Sequence, residues 1–224
     1  EGDYNPGDYM PTSEKRVDMM YEGVVGYRRG MSNEYLRRAV EYYFVNDEAF
    51  IKKFKGHSAA KTVHHGFAGG LLEHTLSVVH LCEYFAGAYD IINKDLLIAS
   101  AVCHDIGKTK ELSSFPDNDY TDEGQLIGHI VIGVEMLSDA IRTIPDFPEV
   151  LANEWKHCII AHHGELEFGS PKKPALAEAM ALNLADNADA KMQTLKEIFK
   201  DKKGTDWLGY NRLFESNLRR TSEV

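Results

Sequence analysis

A chain of 224 residues with 43% hydrophobic and 27% charged residues has the size and composition of one soluble globular domain with a sizeable core. Its longest apolar runs fall well short of a membrane span, so no crossing of a bilayer is expected, and the polar, turn-rich start Glu1-Gly2-Asp3-Tyr4-Asn5-Pro6-Gly7 shows no signal peptide. A formal charge of −10 argues against a broad electrostatic footprint for nucleic acid, while leaving room for a local site where metal ions supply the positive charge. Cys82, Cys103 and Cys158 are odd in number and set in apolar helical text. They fit buried thiols in a reducing, cytoplasmic compartment and not a disulfide framework.

Taken in order, residues 1–12 read as a linker, with Pro6, Gly7 and Pro11 among polar residues. A helix capped by Thr12 or Ser13 runs to about Tyr27, and Ser32 is expected to cap the next, whose apolar face is Leu36, Val40, Tyr43 and Phe44. A short helix spans about Asp47 to Phe54. From Leu71 to about Ala88 the pattern is helical, with His74, Val78, Leu81 and Phe85 on one stripe. Asn93 can cap a following helix built on Leu96-Leu97-Ile98-Ala99-Ser100-Ala101-Val102, at the end of which stand His104 and Asp105. Turn-rich text between Lys110 and Gly124 predicts a long loop or a small hairpin. Helices are then expected over about Gln125–Ile144, carrying His129; from Asp146 and Pro148 to His162-His163-Gly164; and over about Ala175–Phe199, carrying Asp186 and Asp189. There are no repeats and almost no strand text, so the fold class is all-α. Residues 13–203 form the domain and 204–224 a tail packed on its surface.

Helical spacing puts His104 on the stripe of Leu97 and Ala101, and Asp105 on that of Ile98 and Ala101, so both point inward. An aspartate is almost never fully buried unless something pairs with it. His74, His104-Asp105, His129, His162-His163 and Asp186 each lie on or at the end of an apolar helix. Any single histidine there reads first as a satisfied core residue. Together they would ask one small core to satisfy five histidines and two aspartates without metal. Imidazole with carboxylate, and no thiolate, is ligand chemistry for Mn, Fe, Ni or Zn. Two clusters suggest two divalent ions: His74, His104, Asp105 and Asp186 for one, His129, His162 and His163 for the other, with Asp105 bridging. Manganese is the first expectation, and Fe, Ni, Co or Zn suit the same donors.

The set His74…His104-Asp105…Asp186 resembles the signature of the HD-domain phosphohydrolases. More closely, Gly69-Gly70-Leu71-Leu72-Glu73-His74-Thr75, His104-Asp105-Ile106-Gly107-Lys108, Thr121 to His129, His162 to Pro171 and Asp186-Asn187-Ala188-Asp189-Ala190-Lys191-Met192 resemble the YhaM-type 3′→5′ exoribonucleases, over roughly residues 12–215. That family normally carries an N-terminal OB-fold that grips single strands. No such text is present here, and residues 1–12 would be the remnant of the connecting linker. Other branches fit less well. Gly164-Glu165 leads to Gly169-Ser170-Pro171 where a cyclic-di-GMP phosphodiesterase of the HD-GYP type shows Gly-Tyr-Pro, Lys108-Thr109 stands where (p)ppGpp hydrolases carry a Glu-Asp pair, and position 70 is glycine where trinuclear sites have an extra Glu.

The resemblance implies a metal-dependent phosphodiesterase that removes 5′-nucleotides from the 3′ ends of RNA or single-stranded DNA. Asp105 would bridge the ions, and Lys108 would stabilise charge on a phosphate oxygen, the alternative being a solvated lysine at a helix end. Lys172 and Lys173 could steer the next phosphate, or form a plain exposed turn. His64 and His65 could contact substrate or donate a proton to the leaving oxygen, or be a surface pair. Asp189, one turn beyond Asp186, could orient a liganding imidazole or face solvent. A small-nucleotide phosphohydrolase (a nucleotidase or cyclic-nucleotide phosphodiesterase) and a non-catalytic nucleotide-binding module are the other readings, and homo-oligomerisation is left open.

Overall fold

The computed structural model describes residues 14–61, 68–200 and 202–222; the linker and the first cap expected at Thr12 or Ser13 lie outside them. In chain order the elements are α1 (Glu14–Gly26), α2 (Glu34–Phe44), α3 (Glu48–Gly56), α4 (Gly70–Ala88), α5 (Lys94–Cys103), α6 (Lys108–Glu111), α7 (Asp122–Leu126), α8 (His129–Arg142), α9 (Glu149–Ala161), α10 (Ala177–Phe199), β1 (Trp207–Asn211) and β2 (Ser216–Arg219). The class is all-α, with one antiparallel hairpin at the end.

The centre is α5. Every residue from Leu96 to Cys103 is buried, and a helix apolar on all sides must be enclosed by others. α4, α10, α2 and α9 all pack against it. Its start is fixed by two side chains. Asn93 Oδ1 accepts from the Leu96 N–H at 3.1 Å, the expected cap, and Glu178 of α10 accepts from the Asn93 N–H at 2.6 Å. Asn33, not Ser32, caps α2, its Oδ1 accepting from the Leu36 N–H at 3.1 Å. The Asn33 N–H in turn donates to Asp95 Oδ2 at 2.7 Å, so α2 and α5 are pinned together at their starts. Phe44, Phe50 and Phe54 close one flank of the core, with ring centroids 5.0–5.5 Å apart.

Beyond Cys103 the chain turns tightly into α6 and crosses α8 at Gly107. A Cβ there would overlap the His129 carbonyl oxygen and lie 2.7 Å from the Gly133 N, so only glycine permits this approach of two backbones. The crossing carries His129 to Asp105. The single helix expected over 125–144 is broken. α7 ends at Leu126, and Gly128, at φ 79°, adopts a backbone that other residues resist, so that α8 begins at His129 itself. Between α6 and α7, where a long loop or a small hairpin is expected, the chain forms a loop closed by one antiparallel bridge, Leu112 with Tyr120. The tail folds as the hairpin β1–β2, and Arg220 Nη1 donates to the Lys202 carbonyl at 2.5 Å.

Gly107→Ala should therefore destabilise the domain by about 2–3 kcal/mol or more, lowering Tm by roughly 4–12 °C. Gly87→Ala, on an exposed stretch of α4 with nothing within 4 Å of the added methyl, should leave Tm unchanged or raise it by a degree or two. Equal melting temperatures for the two variants would contradict the backbone contact at Gly107.

Candidate metal centre

His104 and His162 follow the last residues of α5 and α9, and the same local device holds both. Each donates its Nδ1–H to the carbonyl three residues back, Ala101 O at 2.8 Å and Ile159 O at 2.6 Å. Those carbonyls are among the ones a helix end leaves unpaired, so one bond satisfies the backbone and aims the ring onward. The remaining imidazoles are oriented likewise through Nδ1. His74 is bonded to Asp189 Oδ2 at 2.7 Å, His163 to the Phe168 carbonyl at 2.8 Å and His129 to Glu111 Oε1 at 3.0 Å. All these partners are acceptors, which assigns the proton to Nδ1 and leaves Nε2 of each ring facing the centre.

Asp105 lies where these nitrogens converge, and its two oxygens face different groups. Oδ2 is 3.5 Å from His74 Nε2 and 3.3 Å from His104 Nε2; Oδ1 is 3.6 Å from His129 Nε2 and 3.7 Å from His162 Nε2. Asp186 Oδ1, from α10, joins the first group at 3.1 Å from His74 Nε2. Ligand atoms of His74, His104 and Asp186 lie within 4.8 Å of one another, as do those of His129, His162 and His163. The structure thus brings together all the residues proposed from the sequence as ligands, in two groups with Asp105 between them.

A test of fit comes from the buried polar atoms. Asp105 Oδ1, His129 Nε2 and His162 Nε2 are buried and make no hydrogen bond, a costly arrangement unless a cation engages them. The donors are imidazole and carboxylate. No thiolate competes: burial pushes the Cys103 thiol up and the Cys158 thiol up to about 12. This set suits a first-row divalent ion. Burial alone would raise the Asp105 carboxyl, but the Lys108 ammonium and His104 outweigh it and hold it well below the usual carboxylate range. His162 is held well below its ordinary value by burial and by neighbouring His163, which keeps it neutral, as a ligand must be. Burial would lower His74 too, but hydrogen bonds to Asp186 and Asp189 override it and raise it to about 9, so its Nε2 becomes a ligand atom only when it gives up that proton.

Lys108 Nζ stands 2.7 Å from Asp105 Oδ2, inside the centre and not solvated at a helix end. Asp189 faces the His74 ring, not solvent. Lys173 is exposed and paired with Glu165 at 2.6 Å, Lys172 is exposed beside it, and His64 and His65 lie outside the described residues. Two contributors escaped the sequence reading. Glu111 Oε1 accepts from both the backbone N–H and the Nδ1–H of His129, each at 3.0 Å, so one carboxylate caps α8 and orients its ligand ring. His57, buried, is bonded through Nε2 to the Lys108 carbonyl at 2.8 Å. No apolar stripe marks Glu111; only its place one turn past Lys108, in a helix too short to show a period, could have drawn attention.

An all-helical domain with imidazoles and carboxylates gathered at the ends of its central helices is the architecture of an HD domain, and the chain belongs to that family: the HD domain model matches residues 71–191. It is 38% identical over 192 residues to the 3′-5′ exoribonuclease YhaM of Bacillus subtilis (strain 168), covering 85% of this chain and 60% of that protein. It is 39% identical over 186 residues to YhaM of Bacillus velezensis (83% and 58% covered) and 36% identical over 196 residues to YhaM of a Geobacillus species (87% and 59% covered). The chain thus spans about three fifths of the length of these curated relatives. No solved structure matches it.

Glu111→Ala should weaken metal binding at the His129 group by about 10- to 100-fold and leave the His74 group nearly unchanged, since Glu111 supports only the former ring. Isothermal titration with Mn²⁺ checks this: two separated binding steps are expected in the variant, and a uniform loss in both would show that Glu111 serves the fold as a whole.

Proposed function

We propose that the chain is a metal-dependent phosphodiesterase that removes 5′-nucleotides from the 3′ end of single-stranded RNA. The observation that carries this is the two-sided carboxylate: Asp105 offers one oxygen to His74 and His104 and the other to His129 and His162. A buried carboxylate shared by two ligand groups suits a pair of divalent ions, of which Mn²⁺ fits the donor set. Bound there, such ions supply acidity to water and draw charge from the phosphoryl oxygens during in-line displacement. The likeness to the YhaM 3′-5′ exoribonucleases supports RNA as the substrate and 3′ to 5′ as the direction.

The chain's own residues do the rest. Asp189, Glu111 and the Ala101, Ile159 and Phe168 carbonyls fix five rings by their Nδ1 atoms, so that every Nε2 is presented without rearrangement. Asp105 stays ionised against burial because Lys108 sits on it. Lys108 is the cation that the chain itself can offer to a phosphate oxygen as charge develops there. Its charge is well kept: burial would lower it, but Asp105 and Asp186 raise it. Lys172, which is exposed, would steer a following phosphate, whereas Lys173 shares its charge with Glu165.

Incubating the Mn²⁺-loaded protein with 5′-labelled oligoribonucleotide should give a ladder shortening from the 3′ end, with mononucleotides bearing 5′-phosphate. Turnover of mononucleotides with none of oligonucleotides would overturn the reading in favour of a small-nucleotide phosphohydrolase. Asp105→Ala should lose both ions by metal analysis and all activity. His129→Ala should keep the first ion and still lose activity by about 100-fold or more. Near wild-type turnover in His129→Ala would show the chemistry to need one group only.

A further inference from the structure

We propose that the C-terminal hairpin and the basic end of α10 form a second binding surface for single-stranded RNA, on which bases stack against Trp207 and Tyr210. The inference rests on the RNA reading of the metal centre and adds residues that lie outside it.

The strand register makes the platform. Trp207 pairs with Arg219 and Tyr210 with Asn217, with a shift between them. Arg219 and Asn217 are two residues apart on β2 and so share a face; their partners must share it too, although Trp207 and Tyr210 are three apart in sequence. The extra residue is taken up around Gly209, whose φ of 92° a side chain would resist. Re-aiming a side chain is what such bulges do. Both aromatics are exposed, at 64% and 69%, whereas Leu218, on the opposite face, and Phe214, in the turn, are half-buried. The Arg219 guanidinium lies 5.8 Å from the Trp207 ring centre, a cation beside a flat apolar face.

The charge is local. Residues 200–222 carry Lys200, Lys202, Lys203, Arg212, Arg219 and Arg220 against three carboxylates, a net +3 within a chain of net −10. A cavity of about 610 Å³ at the end of α10 is lined by Lys200, Lys202, Lys203, Gly204, Thr205 and Arg220. Exposed aromatics alone would fit a protein partner. Aromatics flanked by cations fit a polyanion that also offers flat faces, and single-stranded RNA is that ligand. The surface also has a geometric tie to the centre. α10 carries Asp186 and runs on unbroken to Phe199, so by the rise of a helix the basic end lies on the order of 20 Å from the ligand group, within reach of a strand of several nucleotides.

The test titrates the Mn²⁺-loaded chain with a hydrolysis-resistant 2′-O-methyl phosphorothioate oligoribonucleotide and reads tryptophan fluorescence. Trp155 is fully buried and Trp207 exposed, so quenching on binding reports the hairpin. Trp207→Phe should remove the quench while nearly keeping affinity. Trp207→Ala with Tyr210→Ala should weaken binding by about 100-fold, at roughly tenfold per lost base stack. Lys202→Gln with Lys203→Gln should flatten the log–log salt dependence by about 1.4, at ~0.7 per phosphate. Turnover of a dinucleotide, too short to reach the hairpin, should be unchanged in all three. Binding by wild type without a quench, or wild-type affinity in the double alanine variant, overturns the proposal. So does a dimeric wild type that becomes monomeric in that variant, which would make the face an interface between copies. Failure of wild type to cleave any oligonucleotide while it cleaves nucleotides would instead bring down the reading of the centre, and this surface with it.

Discussion

One buried carboxylate organises this domain. Asp105 is held buried at the centre of a helical bundle, its Oδ2 on the Lys108 ammonium and its Oδ1 without a hydrogen bond, a state whose desolvation cost runs to several kcal/mol unless cations answer it. The surrounding structure is arranged to bring cations and cation ligands there. α5 is enclosed on every side, so its end must lie deep. Gly107 lets α8 approach backbone to backbone, and α8 begins at the histidine that this approach delivers. Lys108 answers the charge at one of the two oxygens, Oδ2, by direct ion pairing at 2.7 Å, and the His74 ring stands 3.5 Å from the same oxygen.

Five imidazoles are oriented by different means, yet with one outcome. Two use carbonyls that a helix end leaves unpaired, one uses a carbonyl five residues ahead, and two use carboxylates from other helices. In each case the bond is made at Nδ1. Such a constellation is prepared for metal before metal arrives, and the rings lose little freedom on binding it. On the proposed reading the chain's negative net charge is compatible with a polyanionic substrate, since divalent ions would bring positive charge to the centre and six lysines and arginines lie within residues 200–222.

Much of this was legible in the sequence, for definite reasons. The helices around Leu96–Val102 and Leu71–Ala88 announced themselves by apolar runs, and the inward histidines by their place on those runs. Asn93 was readable as a cap because capping is local chemistry. The missed features depend on contacts that no local pattern encodes. Asn33 caps α2 in place of its neighbour Ser32, in an arrangement that also bonds Asp95 from a distant helix. The break at Gly128 interrupts text that is otherwise helical in period, because the left-handed backbone there is used to start α8 at His129. Glu111 acts across the fold, on a residue 18 positions away. The hairpin of residues 207–219 was read as a tail because its bulge spoils the alternation that would mark a strand.

The central claim is that Asp105 joins the two ligand groups into one dinuclear centre. Electron paramagnetic resonance of the protein loaded with two equivalents of Mn²⁺ tests it most directly, because ions that share a carboxylate are exchange-coupled and ions in separate sites are not. The account predicts a coupled spectrum at full loading, replaced by the hyperfine pattern of isolated Mn²⁺ at low loading and in Glu111→Ala at metal levels that fill only the tighter group. A spectrum of isolated Mn²⁺ at full loading of the unaltered chain would contradict it.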